Sequence, residues 1–171
     1  MRSLKLALLA TAATAVLSSA AFAADLIVDT PPATPVVNSS SFAWDGPYIG
    51  ALLQGQTAPN AFGIGADLGV NALLDNIVIG GEIEGVVGLP ASANVQGTVK
   101  IGGLISDSAL LYAYTGIGTR TTSSFYVPLG AGVEFAVADN VGLKVEGQYN
   151  FDLTSSAQNS AAVKVGLNWH F

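Results

Sequence analysis

The stretch VGLKVEGQYNF, residues 141–151, decides the fold. Val141, Leu143, Val145, Tyr149 and Phe151 fall on one parity, and Lys144, Glu146, Gln148 and Asn150 on the other. Successive side chains of a β-strand point to opposite faces, so this run has one oily and one wet side. The last residues repeat the pattern: Val163, Val165, Leu167, Trp169 and Phe171 oppose Lys164, Asn168 and His170. Strict alternation over about 9 to 11 residues suits the wall of a transmembrane β-barrel, where lipid-facing and lumen-facing residues alternate.

Outward from that anchor, alternation and turn residues delimit eight runs, at 46–55, 61–73, 76–88, 94–105, 109–118, 125–137, 141–151 and 161–171. Asp75, Asp107 and Asp139 mark short turns, and with the chain end at Phe171 they recur every 32 residues, which reads as a hairpin period rather than a sequence repeat. The expected fold is all-β: an eight-stranded antiparallel up-and-down transmembrane β-barrel over residues 44–171. An even strand number puts both termini on one side, the periplasmic one.

The charges test the register, because a lysine on the lipid face near the midplane costs about 2–4 kcal/mol. With Phe62, Ile64, Ala66, Leu68 and Val70 facing lipid, Asp67 turns inward. With Ile77, Ile79, Ile83 and Val87 outward, Glu82 and Glu84 turn inward. The same logic hides Lys100, Glu134, Lys144, Glu146 and Lys164, while the first and fifth strands stay ambiguous. Counting across the turns sets Asp67 opposite Glu82, Glu82 opposite Lys100, Lys100 opposite Tyr114, and Glu134 opposite Lys144. The expected lumen therefore holds one belt of Asp67, Glu82, Lys100 and Tyr114 and a second cluster of Glu134, Lys144 and Glu146, in which the Glu82–Lys100 and Glu134–Lys144 pairs fix the core. A proton or ion path is the alternative use of these groups.

The N-terminus reads as a secretory signal over residues 1–23. Arg2 and Lys5 form the positive region, 6–17 the apolar stretch, and Ala21, Phe22 and Ala23 the cleavage motif, so cleavage falls between Ala23 and Ala24. The apolar stretch is shorter than the roughly 20 residues that a membrane-spanning helix needs. Residues 24–43, with Pro31, Pro32, Pro35 and a serine run, read as a disordered periplasmic lead or a tether. Charged residues make up only 11% of the chain, and without Arg2 and Lys5 four basic residues face twelve acidic ones, a net charge of 4 − 12 = −8. That balance argues against nucleic-acid binding. The absence of cysteine removes disulfides, thiolate nucleophiles and cysteine metal sites.

Aromatic residues are expected to mark both membrane interfaces: Phe62, Phe125, Tyr149 and Phe151 at the outer rim, and Trp44, Tyr48, Phe135, Trp169 and Phe171 at the inner one. A soluble ligand-binding barrel, the competing fold, would instead bury its large apolar side chains and expose its charges. Gly63, Gly65 and Gly69 lie on a strand with no helix after them, which favours packing or curvature over phosphate binding. Inward glycines, including Gly80, Gly88, Gly102, Gly116, Gly118, Gly130, Gly132, Gly142 and Gly166, are expected to leave a wet but interrupted lumen.

The ending Lys164, Gly166, Trp169, Phe171 resembles the polar-x-Gly-x-x-aromatic-x-aromatic signal that outer-membrane proteins show to their assembly machinery. The start Trp44, Gly46, Tyr48, Gly50 is similar to the W-x-G-x-Y-x-G opening of small alphaproteobacterial outer-membrane β-barrels, akin to OmpA-like, OmpX-like and opacity-type proteins. The resemblance implies insertion into the bacterial outer membrane by the barrel assembly machinery, with membrane lipid and lipopolysaccharide as surroundings. It implies a role in envelope structure, surface interaction or slow solute passage. Surface contact is the weakest of these, because the connections expected at 56–60, 89–93, 119–124 and 152–160 are short.

Catalysis is not expected. A serine hydrolase needs a histidine beside its nucleophile, and the single histidine, His170, sits one residue from the end. No second histidine is present to join a usual metal set. No cofactor and no metal are expected, and the chain reads as a monomer. An eight-stranded barrel is just wide enough for side chains to fill it, so the sequence favours an envelope scaffold over the alternative, a narrow porin-like channel.

Overall fold

A computed structural model of the protein describes residues 42–57, 60–89, 92–121, 124–153 and 159–171. The signal peptide and all of the lead up to residue 41 lie outside the described residues. Every regular element described is a strand: β1 (Gly46–Thr57), β2 (Asn60–Leu74), β3 (Ile77–Leu89), β4 (Ser92–Ser106), β5 (Ala109–Arg120), β6 (Phe125–Ala138), β7 (Val141–Asp152) and β8 (Ser160–His170). Each pairs antiparallel with its sequence neighbours, and β1 pairs with β8, closing an eight-stranded up-and-down barrel. Closure removes both sheet edges, so the backbone of each strand is bonded on two sides.

Three two-residue turns, Asp75-Asn76, Asp107-Ser108 and Asp139-Asn140, join the strands at the end that carries both termini. Asp75 adopts φ 55°, a left-handed conformation that aspartate tolerates and that two-residue hairpin turns often use. Bulges between Leu104 and Ser106 and between Ala136 and Ala138 adjust the ladder beside the second and third turns. The carbonyls of Asn76, Ser108 and Asn140 accept the amides of Leu104, Ala136 and His170, tying each turn to the next hairpin. At the opposite end the strands run further than expected, leaving only residues 58–59, 90–91, 121–124 and 153–159 as connections.

The two faces have opposite chemistry. Ile64, Leu68, Ile83, Val99, Ile117, Leu129, Val163 and Leu167 are all about half exposed or more on the outside. Asp67, Glu84, Lys100, Glu134, Lys144, Glu146 and Lys164 are buried inside. This is the inside-out pattern of a membrane barrel rather than that of a soluble ligand-binding barrel. The two ambiguous strands resolve with even numbers inward: Tyr48, Leu52 and Gln54 on β1, and Leu110, Tyr112 and Tyr114 on β5 are buried.

The inward glycines do more than narrow the wall. Tyr48 pairs across strands with Gly69, Tyr114 with Gly130, Tyr112 with Gly132, and Tyr126 with Gly118. A Cβ on any of these glycines would overlap the tyrosine ring facing it. Each ring therefore lies flat on bare backbone, the arrangement by which an aromatic side chain shields a strand glycine. The space that the sequence reading assigned to water at Gly118, Gly130 and Gly132 is occupied by rings. Gly142 and Gly80 similarly make room for the side chains of Glu134 and Asn71.

Candidate functional site: the charged lumen

Side chains from opposite walls meet in the lumen. At the end away from the termini, Arg120 on β5 pairs with Asp152 on β7, and its Nη2 donates to Ser160 Oγ at 3.2 Å. Asn150 Nδ2 donates to the same hydroxyl at 3.1 Å, and Gln148 Nε2 donates to Asn150 Oδ1 at 2.6 Å. Gln148 on β7 and Gln96 on β4 exchange reciprocal amide hydrogen bonds of 3.1 Å, with Tyr126 donating to Gln96 Oε1 at 3.2 Å.

A second tier is centred on Lys164. Its Nζ donates to both oxygens of Glu84 at 2.7 Å and lies 3.8 Å from Glu146. Tyr112 donates to Glu146 at 2.7 Å, and Tyr114 donates to Gln148 at 3.0 Å, linking this tier to the one above.

The third tier is centred on Lys144. Its Nζ sits 2.9 Å from Asp67 Oδ2 and 3.3 Å from Glu82 Oε2. Lys144 thus serves Asp67 Oδ2, while Asp67 Oδ1 meets no hydrogen-bond donor among the described residues. Tyr48 donates to Glu82 at 2.7 Å and accepts from Lys100 at 2.8 Å, while the ammonium of Lys100 also lies 4.4 Å from the Tyr48 ring centre and 5.2 Å from that of Tyr112. Below, Glu134 Oε1 takes His170 Nε2 at 2.8 Å and Asn168 Nδ2 at 3.1 Å.

These contacts correct the expected pairing in a consistent way. Lys100 does face Tyr114, and Glu134 faces Lys144, but Asp67 faces Glu84 and Glu82 faces Thr98. Moving a turn centre by one residue shifts every partner across it by two, which is the error at the Asp75-Asn76 turn and at residues 90–91. Neither of the two pairs expected to fix the core bonds directly. Tyr48 inserts its hydroxyl between Lys100 and Glu82, and Lys144 reaches across to β2 and β3 rather than to Glu134, whose partners are His170 and Asn168. The separate belt and cluster thus interlock: Lys144 joins the first, and Glu146 joins Lys164 and Glu84.

Sequence reasoning missed Tyr48, Tyr112, Gln96, Gln148 and His170 as members of the network. The unresolved parity of β1 and β5 concealed Tyr48 and Tyr112. Tyr48 and Trp44, expected in the inner girdle, are buried inside, whereas Phe135, Trp169 and Phe171 face outward as expected, as do Phe62, Phe125, Tyr149 and Phe151. The packed body also reaches back to Phe42, a residue assigned to the disordered lead, because its ring is buried against Trp44 and His170.

The chain is 28% identical over 205 residues to the 25 kDa outer-membrane immunogenic protein of Brucella ovis, with both chains covered in full. The chain is a small outer-membrane β-barrel protein. No family model matches it. Among solved structures, a de novo designed transmembrane β-barrel aligns with TM-score 0.59 at 14% identity, covering 73% of this chain and 94% of that one. The outer-membrane enzyme PagL aligns with TM-score 0.54 at 10% identity, covering 72% of this chain and 99% of PagL. These two likenesses show the fold alone. Connections at one end reach four and seven residues (121–124 and 153–159), whereas those at Asp75-Asn76, Asp107-Ser108 and Asp139-Asn140 are all two residues long, which marks the latter as the periplasmic end of an outer-membrane barrel. The Arg120–Asp152 pair marks the outer end of the lumen, and Glu134–His170 the periplasmic end.

Proposed function

We propose that this outer-membrane barrel is a non-catalytic envelope scaffold whose lumen is closed by its own side chains. The observation that carries this reading is the span of the lumen contacts. Lys144 on β7 reaches Glu82 on β3, four strands away and therefore diametrically opposite in a barrel of eight. Lys164 on β8 reaches Glu84 on β3, and Gln148 on β7 meets Gln96 on β4. Side chains that bridge the full bore support a closed lumen, consistent with the small interior of eight-stranded barrels.

Two features support a non-catalytic role. His170 is engaged by Glu134 and by the rings of Phe42, Trp44 and Tyr48, so it is not placed as base to any described hydroxyl nucleophile. The network joins acids to lysines, amides and phenols, a set suited to holding register. The narrow porin-like alternative would require the Lys144 and Lys164 bridges to open. Adhesion is disfavoured by connections of two to seven residues at the outer end. The ending Lys164, Gly166, Trp169, Phe171 is assigned to recognition by the barrel assembly machinery, the protein works as a monomer, and its outer surface faces lipid and lipopolysaccharide.

A strain lacking this protein is expected to admit more hydrophobic dye and to be more sensitive to detergent. Expression of the wild-type chain and of the His170→Ala variant at equal folded levels should restore both equally. Restoration by wild type alone, with His170→Ala barrels of equal urea stability and equally free of current, would contradict a non-catalytic role. In the same strain, removing Phe171 should lower the amount of folded barrel in the membrane while leaving the purified chain able to fold in detergent; equal membrane levels would remove the assembly role.

A further inference from the structure

We infer that residues 42–45 form a hinged stopper seated in the periplasmic mouth of the barrel. The lumen is polar through most of its length, yet its periplasmic end is lined by aliphatic residues. Val78 on β3 and Leu110 on β5 are 1% and 0% exposed, and Leu73 and Leu104 are partly buried beside them. An open mouth would leave these side chains wet, at a cost proportional to the apolar area exposed. Phe42 and Trp44 cover them: the two rings belong to the same packed cluster and are 8% and 3% exposed.

The stopper is anchored on both walls. On one side the Phe42 ring lies 4.6 Å from the His170 ring on β8, which in turn stacks on Tyr48 at 5.2 Å. On the other side Trp44 Nε1 donates to the carbonyl of Asp107, in the turn between β4 and β5, at 3.1 Å. That turn lies across the barrel from β8, so the segment bridges the opening rather than lining one edge.

The elbow that turns the chain into the mouth is Gly46. It has φ +102°, a conformation that side chains disfavour, and a Cβ there would stand 3.1 Å from the carbonyl oxygen of Phe171. A glycine at the junction between a buried aromatic pair and the first strand lets residues 42–45 swing without disturbing the β1–β8 ladder. Closed, the stopper separates the Glu134–His170 pair from the periplasm.

The protein has one histidine, so histidine modification by diethylpyrocarbonate, read at the N-carbethoxyimidazole absorbance, reports the mouth alone. With the full chain folded in lipid vesicles, His170 is expected to react at least roughly tenfold more slowly than a free histidine amide, as a group reached only through local opening does. The Phe42→Ala, Trp44→Ala double variant should react near the free rate while keeping the heat-shifted gel band of a folded barrel. Equal slow rates in both folded proteins, or a fast wild-type rate, would overturn the stopper. If the double variant does not fold, the Trp169→Phe variant leaves Trp44 as the single tryptophan of the chain. Weak acrylamide quenching of Trp44 supports the seated position, and quenching like that of a free tryptophan overturns it. A current gained by the double variant would overturn the closed-lumen reading and keep the stopper; unchanged histidine reactivity would do the reverse.

Discussion

Replacing Lys144 by Met is expected to destabilise the folded barrel by about 3–5 kcal/mol, the usual consequence of leaving buried charges without their partner. The side chains of Lys144 and Asp67 are 0% exposed, and the same ammonium serves Glu82. Removing it leaves two carboxylates side by side without their direct cation, since Lys100 reaches Glu82 through the Tyr48 hydroxyl. Urea unfolding in lipid vesicles, followed by the heat-shifted gel band, measures the loss. The triple replacement Lys144→Met, Asp67→Asn, Glu82→Gln should recover most of it, because the penalty comes from unpaired charge rather than from a missing attraction. If the single and triple variants lose the same stability, the ion contacts do not hold the barrel and packing alone does.

The second large effect lies on the other face. Ile83 is 58% exposed at the middle of β3, and Leu89 is 74% exposed on the same face at its outer end. Ile83→Lys should cost about 2–4 kcal/mol and Leu89→Lys about 0–1 kcal/mol, since the cost of a charge on the lipid face depends on depth. Equal effects at both positions, read by the same unfolding assay in vesicles, would contradict the membrane placement of this belt.

Most of the barrel was legible because period-2 alternation is a local signal that survives without any alignment. The strands β7 and β8 announce themselves through runs such as Lys144, Glu146, Gln148 and Asn150, and the eight charges assigned inward from the sequence, Asp67, Glu82, Glu84, Lys100, Glu134, Lys144, Glu146 and Lys164, all face inward. The facing of each charge depends only on parity, so it was recoverable even where register was not. Partner identity is a different problem. The pairing of Asp67 with Glu84 depends on whether a turn centres before or after Asp75, a one-residue difference that residue types do not resolve. The bonds of Lys144 and Lys164 depend on which walls face each other across the bore, which follows from closure and not from any hairpin.

The first and fifth strands were harder for a physical reason. On β1 the inward side carries Tyr48, Leu52 and Gln54 while the outward side carries Ile49 and Leu53, so hydrophobicity hardly distinguishes the faces. The tyrosines are amphipathic and could serve a membrane girdle or a polar core equally well. Their glycine partners across the strand decide the matter, since a ring turned inward needs bare backbone to lie on. The burial of Phe42 escaped notice because a single aromatic residue in a Pro/Ser-rich segment carries no periodicity.

The most direct test of the central claim is single-channel recording on the folded full chain in a planar bilayer. A lumen bridged by Lys144 and Lys164 predicts no discrete current steps above the bare membrane. Reproducible steps whose size changes on replacing Lys144 or Lys164 would contradict it and make the lumen a narrow conducting path.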